Sequence, residues 1–500
     1  MPKYFYITTT LPYVNADPHV GFAMEIIRAD IIARFKKLQG YEVFFNTGTD
    51  EHGQKLFKAA EKAGKSVKTY VDENAETFKK LLPRLGISAD AHFIRTTDAH
   101  HEKAAQAFWE RVASKTDDEG QPLIYKKNYS SKYCVGCEET KTESELVLGR
   151  CPIHPQLDIE IIEEENYFFR FSAFGDKILR LYETHGHMIV PGFRMNEMRE
   201  FIKRGLEDFS ISRLKSKMAW GVPIPGDSNH VMYVWFDALV NYISTLGWPE
   251  NESSATGDFQ KFWVHGTPTQ YCGKDNTRFQ SVMWQAMLMA AGVPPTHTVV
   301  VNGFVTGEGG VKMSKSLGNV IDPIALAAEY DAVTGGRGAE ALRYFVSREI
   351  GSFEDSPFTL DRFKQAYNTA LANGLGNLVS RVMKMASTHL SAPIDVPTDA
   401  ARDAMPADFK KALDSFDIQA AANIVWARIA EADRLIQEKA PFKLVKTDKT
   451  AAQEIIRDLC DRLYAIASML EPILPETSRT IQDLVKGNNT PAAPLFARKE

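Results

Sequence analysis

The segment Tyr4–Gly21 reads YFYITTTLPYVNADPHVG and predicts a strand that leads into a helix. YFYITT has the pattern of a buried strand, and apolar residues then recur at helical spacing until Gly40 closes the helix. Asp17 is a good N-cap and Pro18 suits the first helical position, so we expect His19 in the first turn. Unpaired backbone N–H groups there favour an anion, and a histidine adds a directed hydrogen bond to a phosphate.

Later segments repeat this alternation of strands and helices. We predict further strands at Glu42–Asn46, Lys261–Gly266 and His297–Gly303, and the helical pattern FQSVMWQAMLMAAG lies between the last two. Strands that alternate with helices indicate an α/β fold with a parallel, Rossmann-like sheet. The ligands of such sheets bind beyond the carboxyl ends of the strands.

Changes in pattern divide the rest of the chain. A turn-rich stretch in the first half looks like an insertion, and periodic apolar positions near the end predict an α-helical bundle, with fraying after Gly487. The predicted regions are a Rossmann-like first half at 1–115, a connective insertion at 116–227, the second half at 228–320, a linker at 321–360 and the helical domain at 361–500.

The composition of the chain limits the classes of protein to which it can belong. The chain has 500 residues, 44% of them hydrophobic, and a net charge of -5, so it can bury a large core and divide into several domains. It has neither a signal-like start nor an apolar run long enough for a bilayer, so we expect a cytoplasmic protein with no membrane partner. The mild acidity excludes an overall basic nucleic-acid binder but allows a local basic face.

Three of the five cysteines lie in the insertion and predict a metal site. The pattern is Cys134-Val-Gly-Cys137 followed by Cys151-Pro-Ile-His154. Two ligand pairs with these gaps fit a tetrahedral zinc site, and four protein ligands leave no open position for catalysis. We therefore expect structural zinc, with free thiols as the alternative.

A glycine-rich loop carries two lysines in VTGEGGVKMSKSLGN, residues 305–319. It is not a Walker A loop, but Lys312 and Lys315 could close on a triphosphate and stabilise the departing pyrophosphate. Taken alone, such a loop is most often a solvated turn, and a lone His19 most often decorates a helix end. Together, on one parallel sheet, the two features favour a phosphate site.

The ordered motifs carry a resemblance to a known family. His19-Val-Gly-Phe22 and Lys312-Met-Ser-Lys-Ser316 resemble the two signatures of class I aminoacyl-tRNA synthetases. The wider set is similar to methionyl-tRNA synthetases over nearly the whole chain: LPYVNADPHVG, NTGTDEHGQK, YVWFDALVNYIS, GKDNTRFQ, FVTGEGGVKMSKSLGN and NGLGNLVSR. The resemblance implies activation of methionine by ATP with Mg²⁺, then transfer to tRNA(Met).

The resemblance also implies roles for residues around ATP. His19 and Lys315 would stabilise the transferring phosphate with help from Lys312, and Gly21 would let ATP approach the backbone. The adenosine ribose would be held by Gly273 and Asp275.

Further residues match the family's amino-acid and tRNA contacts. Asp50 would pair with the ammonium group of the substrate. The methionine side-chain pocket would be lined by Leu11, Tyr13, Trp235, Ala238, Tyr242 and Phe279. The anticodon would be read by Asn377, Arg381 and Phe442, the last standing where a tryptophan often stacks on a base.

Two positions depart from the family pattern. Phe22 replaces the second histidine of its signature, so one phosphate or ribose contact is lost or replaced. Gln280 stands where the family often has histidine, which leaves the fine structure of the methionine pocket open.

Two other functions compete with this interpretation. One is a class I synthetase for leucine, isoleucine, valine or cysteine, but the small insertion leaves little room for an editing site, and the closed ligand set argues against the catalytic zinc of a cysteine enzyme. The other is an inactive tRNA-binding protein, against which His19, Asp50, Lys312 and Lys315 all argue. The chain ends soon after the helical bundle, so we expect a monomer.

Overall fold

A computed structural model describes residues 3–15, 17–311, 313, 320–391, 394 and 405–500. These residues form two compact units, here called the sheet unit and the helical unit. The sheet unit comprises Met1–Asp17, Glu42–Lys80 and Asp90–Val301, and the helical unit comprises Pro18–Tyr41, Leu81–Ala89 and Asn302–Glu500. No helix among the described residues combines the length and apolar content needed to cross a bilayer.

The strands carry labels in chain order. They are β1 Tyr4–Thr9, β2 Glu42–Thr49, β3 His92–Arg95, β4 Ile124–Cys134, β5 Glu139–Lys141, β6 Glu160–Phe169, β7 Ile189–Val190, β8 Phe209–Ser210, β9 Ser212–Leu214, β10 Pro223–Ile224, β11 Asp227–Met232, β12 Thr267–Gly273, β13 Thr298–Asn302, β14 Val305–Thr306 and β15 Ser356–Pro357.

The described helices of four or more residues include several π-helical turns. They are Val20–Leu38, Gln54–Lys62, Val67–Arg84, Ala99–Ala113, Phe171–Phe174, Gly175–Thr184, Gly192–Lys203, Val234–Ala238, Asn241–Ser244, Phe259–Val264, Phe279–Met283, Trp284–Ala291, Pro323–Thr334, Gly338–Tyr344, Phe345–Glu349, Leu360–Ala366, Tyr367–Gly376, Asn377–His389, Ala407–Asp414, Ile418–Lys439, Pro441–Leu444, Lys449–Leu470 and Pro475–Gly487.

The sheet unit is built on a sheet with strand order β3-β2-β1-β12-β13-β7. β3 with β2, β2 with β1, β1 with β12, and β13 with β7 all pair in parallel. In this register Ile7 of β1 lies between Phe45 and Thr269. The predicted parallel sheet is therefore confirmed, and its central strands end at one edge, where ligands of such sheets bind.

One predicted strand is wrong. The first four residues of the apolar run Lys261–Gly266 lie in the helical segment Phe259–Val264, and the strand is the next segment, β12. Phe262 and Trp263 pack into the core from this segment. A short apolar run does not distinguish a buried strand from a buried helix. The polar residues of β12 do not have the pattern expected of a central strand, so the sequence did not indicate that β12 is one.

The connective insertion adds antiparallel strands to the sheet unit. β4 pairs with β6 from Ile124 opposite Phe169 to Tyr133 opposite Glu160, within the sheet order β5-β4-β6-β8. A second small sheet has the order β10-β11-β9. The long β4–β6 pair carries the cysteine cluster, because β4 ends at Cys134.

The helical unit is held together by two buried arginines. Arg343 and Asp30, both fully buried, form an ion pair at 2.8 Å. Burial alone would raise the pKa of Asp30, but Arg343 and its other partners hold that pKa below its usual value. Arg28 donates to Asn302 Oδ1 at 3.0 Å and to backbone carbonyls of residues 346–352. These bonds satisfy charges that would otherwise be costly to bury.

The predicted helical bundle is confirmed, but the predicted fraying after Gly487 is wrong. Phe496 is 2% exposed. The phenol of Tyr367 donates to Ala497 O at 2.8 Å, and Lys499 N donates to Asn368 Oδ1 at 2.8 Å. These tertiary contacts order the segment despite its irregular sequence.

Candidate functional site

His19 itself caps the helix Val20–Leu38. Its backbone is extended, and its Nδ1 accepts a hydrogen bond from Gly21 N at 3.0 Å. The predicted cap at Asp17 is therefore wrong, because the imidazole satisfies an N–H group of the first turn. In the neutral ring this bond assigns the proton to Nε2.

The cap also explains Gly21. A Cβ at this position would lie 2.8 Å from His19 Cε1, so a side chain would collide with the imidazole. Phe22 lies half-buried in the same helix. Lys312 and Lys315 lie outside the described residues, so the lysine loop stays a prediction.

Gly273 and Asp275 are neighbours at the carboxyl end of β12. The strand ends at Gly273, and the single turn Lys274–Asn276 follows. A Cβ on Gly273 would lie 2.8 Å from Asp275 Oδ1, so the carboxylate lies against the glycine backbone. The structure thus brings together the two residues expected to hold the ribose.

Asp50 is a buried carboxylate just beyond the end of β2. It is 3% exposed, and its backbone N donates to Pro12 O at 3.0 Å next to Tyr13. Among the described residues, no lysine, arginine or histidine forms an ion pair with it. Burial and the carboxylates of Asp237 and Glu138 raise the pKa of Asp50 well above its usual value. A cation beside Asp50 would relieve this cost.

The two residues after Asp50 have their own partners. Glu51 binds Arg95 through two contacts of 2.7 Å. His52 Nδ1 lies 3.2 Å from Asp237 Oδ2 in an ion pair that is not an aligned hydrogen bond. Burial alone would lower the pKa of His52, but Asp237 raises it above the usual value. Glu51 and Asp237 thus each have a cationic partner, whereas Asp50 is the acid of this segment without a counterion in the described structure.

Tyr13, which forms a backbone bridge with Asp50, belongs to a group of aromatic rings. Trp235 stacks on Phe279 with centroids 3.9 Å apart and planes 7° apart, and Tyr13 meets Trp235 edge-on at 6.4 Å. Ala238 and Tyr242 follow Trp235 in the short helices Val234–Ala238 and Asn241–Ser244, and both are buried. Leu11, also buried, precedes Tyr13 in the segment after β1. These are the residues predicted to line the methionine pocket.

The predicted metal ligands converge. Ligand atoms of Cys134, Cys137, Cys151 and His154 all lie within 4.8 Å of one another. Cys137 Sγ lies 3.5 Å from Cys151 Sγ and 3.3 Å from His154 Nδ1, and Cys134 Sγ lies 3.8 Å from His154 Nδ1. Ligands about 2.3 Å from one zinc at tetrahedral angles would be roughly 3.8 Å apart, so the donor set fits the ion. A Cβ on Gly136 would lie 2.5 Å from His154 Cγ, which explains the glycine between the cysteines.

Glu138 joins the metal cluster to the Asp50 loop. It is fully buried, with a left-handed backbone at φ 52°. Its carboxylate accepts a hydrogen bond from Lys55 N, and its carbonyl accepts from Tyr233 Oη at 2.6 Å. Lys55 follows the Asp50 loop and Tyr233 precedes the pocket helix Val234–Ala238. The cluster therefore supports both segments.

The predicted anticodon residues lie in the helical unit. Asn377 and Arg381 share the helix Asn377–His389, as predicted. Arg381 pairs with Asp433, whose other carboxylate oxygen accepts from Gln437 at 2.8 Å. Phe442 is 47% exposed, and Lys443 Nζ lies 5.9 Å from its ring centroid.

Comparison with protein families gives the class of protein. A model of class I tRNA synthetases, marked (M), matches residues 5–160 and 153–383. A model of the anticodon binding domain of methionyl tRNA ligase matches residues 399–494. With the parallel sheet and its helical bundle, these matches define a class I aminoacyl-tRNA synthetase.

Individual relatives give the family. The methionine–tRNA ligase of Caldanaerobacter subterraneus is 39% identical over 491 residues, covering 96% of this chain and 73% of the relative. The methionine–tRNA ligase of Thermosynechococcus vestitus is 39% identical over 493 residues, covering 96% of this chain and 90% of the relative. A structure of Mycobacterium tuberculosis methionyl-tRNA synthetase in complex with methionyl-adenylate has a TM-score of 0.88 at 34% identity and covers 99% of this chain and 100% of that chain. The chain belongs to the methionyl-tRNA synthetase family.

Sequence reasoning missed several residues of the site. His52 and Asp237 lie inside the motifs GTDEHG and YVWFDAL. The motifs therefore indicated that both residues lie near the candidate site, but not that the two side chains form an ion pair. Glu138 gave no signal, because its left-handed backbone and its bond to Lys55 are tertiary features.

Proposed function

We propose that this chain joins methionine to tRNA(Met) in two steps. It activates methionine with ATP and Mg²⁺ to methionyl-adenylate and pyrophosphate, then transfers the methionyl group to the terminal adenosine of the tRNA. Family membership supports this reaction. The assignment of an amino-acid substrate depends on the buried carboxylate of Asp50. We expect the enzyme to act in the cytoplasm, where translation uses its product.

Methionine is recognised through its ammonium group and its side chain. The ammonium group pairs with Asp50, whose burial next to Asp237 and Glu138 makes it a strong site for a cation. The side chain lies among the aromatic rings of Tyr13, Trp235 and Phe279. A sulfur contact with an aromatic ring contributes about 0.3 to 1.5 kcal/mol, which favours a thioether.

Phosphate transfer relies on positioning and charge. The methionine carboxylate attacks the α-phosphate, so the protein needs no nucleophile of its own. His19 donates to the phosphate from Nε2, and Lys315, assisted by Lys312, neutralises the charge on departing pyrophosphate. Gly273 and Asp275 hold the ribose.

Amino-acid-dependent exchange of pyrophosphate into ATP tests this proposal. Of the twenty standard amino acids, methionine alone should support rapid exchange with the wild-type enzyme. Asp50→Asn should raise the KM for methionine by roughly a hundredfold and change the KM for ATP little, because a buried charge pair with the ammonium group is lost. Exchange driven by a different amino acid, or by none, would contradict the assignment.

The metal cluster binds one structural zinc ion. Cys134, Cys137, Cys151 and His154 would hold it with four protein ligands, and zinc would supply folding energy to the insertion. Through Glu138, the folded cluster keeps the Asp50 loop in place.

Metal analysis of purified protein tests the zinc site. Wild-type enzyme should contain one zinc per chain, and Cys137→Ser should lose it because a ligand is removed. The matched control is Cys460→Ser, which changes a buried cysteine of the helical unit and should retain the metal. Full zinc content in Cys137→Ser would rule out this ligand set.

The helical unit reads the anticodon. Asn377 and Arg381 offer hydrogen-bond donors on one helix, and Asp433 holds the guanidinium of Arg381 in position. Exposed Phe442 can stack on a base, a contact worth about 1 to 3 kcal/mol.

Two assays on one variant test the anticodon assignment. Arg381→Ala should lower kcat/KM for methionylation of tRNA at least about tenfold, because a base or phosphate contact is lost, while pyrophosphate exchange stays near wild type. Arg462→Ala, which removes a charge from another exposed ion pair, should change neither rate strongly. Equal loss of both activities in Arg381→Ala would show a general structural defect instead.

A further inference from the structure

His52 connects the two parts of the proposed amino-acid site. Its backbone N donates to Asp50 Oδ1 at 3.4 Å. Its Nδ1 lies 3.2 Å from Asp237 Oδ2, and Asp237 belongs to the helix Val234–Ala238, which also carries Trp235. One residue therefore contacts both the acid proposed to bind the substrate ammonium group and an acid of the helix that lines the side-chain pocket. We call Asp50, His52 and Asp237 the charge triad.

The contact between His52 and Asp237 is closed to solvent. His52 is 3% exposed and Asp237 is 0% exposed. Within the described residues, neither carboxylate oxygen of Asp237 has an aligned hydrogen bond. A buried carboxylate without hydrogen bonds is costly unless an opposite charge lies beside it. The imidazole of His52 is the group placed to carry that charge.

The surroundings of His52 favour its protonated form. Burial alone would lower the pKa of His52, but Asp237, Glu102 and Glu51 raise it above the usual value. Glu51 is itself engaged by Arg95 through two contacts of 2.7 Å. Asp237 therefore remains the acid whose charge the imidazole balances directly.

The helix Ala99–Ala113 faces the triad from one side. Burial and two neighbouring histidines lower the pKa of His101 to about 3, so this ring is neutral, and its Nδ1 lies 2.9 Å from Ser244 Oγ. Burial raises the pKa of Glu102, while Lys68 acts in the opposite direction. Lys68 pairs with Asp72 at 2.6 Å. The helix thus supplies no positive charge to Asp50.

The connective insertion faces the triad from another side. Glu138 lies close enough to Asp50 and Tyr13 to raise the pKa of each. The positive charges of Lys55 and Arg213 act on Glu138. In the described structure neither of these cations forms an ion pair with Asp50. Within the triad, then, two carboxylates stand against a single imidazolium, and one negative charge is left over.

We propose that His52 is a charged positioning residue, whose imidazolium neutralises Asp237 so that Asp50 keeps its negative charge for the substrate ammonium group. This inference rests on the proposed function and deepens it. Without the charge on His52, two nearby buried carboxylates would repel each other and share a proton over a wider range of pH. An ammonium group would have to displace that proton in order to bind.

Calorimetric titration of the full-length enzyme with L-methionine, repeated over a series of pH values, tests this proposal. His52→Asn keeps a donor near the position of Nδ1 and removes the charge. At a pH near the raised pKa of Asp50, His52→Asn should weaken methionine binding about tenfold and increase the number of protons released. The loss of affinity should shrink as the pH rises, because both acids then ionise.

A second substitution separates charge from structure. Adding Asp237→Asn to His52→Asn leaves a neutral pair, so the double variant should regain most of the lost affinity at the lower pH. Asp237→Asn alone also provides a test if His52→Asn does not fold. It removes the acid that competes with Asp50, so its methionine binding should be no more sensitive to low pH than that of the wild type.

The outcomes distinguish this role from simple support of the fold. The same loss of affinity at every pH in His52→Asn, or an equal effect of His52→Asn with and without Asp237→Asn, would overturn the charged role of His52 alone. Heightened sensitivity of Asp237→Asn to low pH would overturn it as well. A wild-type enzyme that does not bind or activate methionine would instead overturn the proposed function.

Discussion

The buried carboxylate of Asp50 is the constraint around which the proposed amino-acid site is arranged. Glu51 has Arg95 as its partner, and His52 and Asp237 compensate each other at 3.2 Å. Within the described structure Asp50 has no such counterion, and its pKa is raised by burial and by nearby acids. A protein keeps an uncompensated buried acid at a cost to stability, and a site for a cationic substrate group accounts for that cost. The ammonium group of methionine is such a group, so one electrostatic feature connects the fold to the reaction.

Two features outside the pocket keep this arrangement rigid. On one side, the metal cluster reaches the Asp50 loop through Glu138, and Arg278, next to Phe279, pairs with acids of the insertion. On the other side, the buried amide of Gln280 donates to Tyr242 Oη at 2.5 Å. Catalysis by positioning requires that groups such as these be fixed before the substrate arrives. In the proposed site, the insertion thus contributes to substrate recognition, although four protein ligands would leave its metal closed to chemistry.

The fold and the family could be predicted because their signals are local. The strand β1 and the spacing of the candidate metal ligands are read from short patterns, and the order of the motifs identified the family. Tertiary context decided the rest. The run around Trp263 is apolar because it packs in the core as a helix. β12 looks polar because side chains such as Gln270 form buried hydrogen bonds, here to Gln280 at 2.6 Å. His19 caps its helix with a ring nitrogen, a role that capping rules reserve for shorter side chains. No sequence pattern encodes the pairing of His52 with Asp237.

Calorimetry of methionine binding in buffers of different ionisation enthalpy tests the central role of Asp50 most directly. Burial and nearby acids raise the pKa of Asp50 above its usual value, and binding of an ammonium group favours the ionised form. Methionine binding should therefore release protons, in growing number as the pH is lowered toward the raised pKa of Asp50, and should weaken over the same range. Asp50→Asn should abolish this release. Equal proton release by Asp50→Asn and wild-type enzyme, or no release at any pH in this range, would contradict the account.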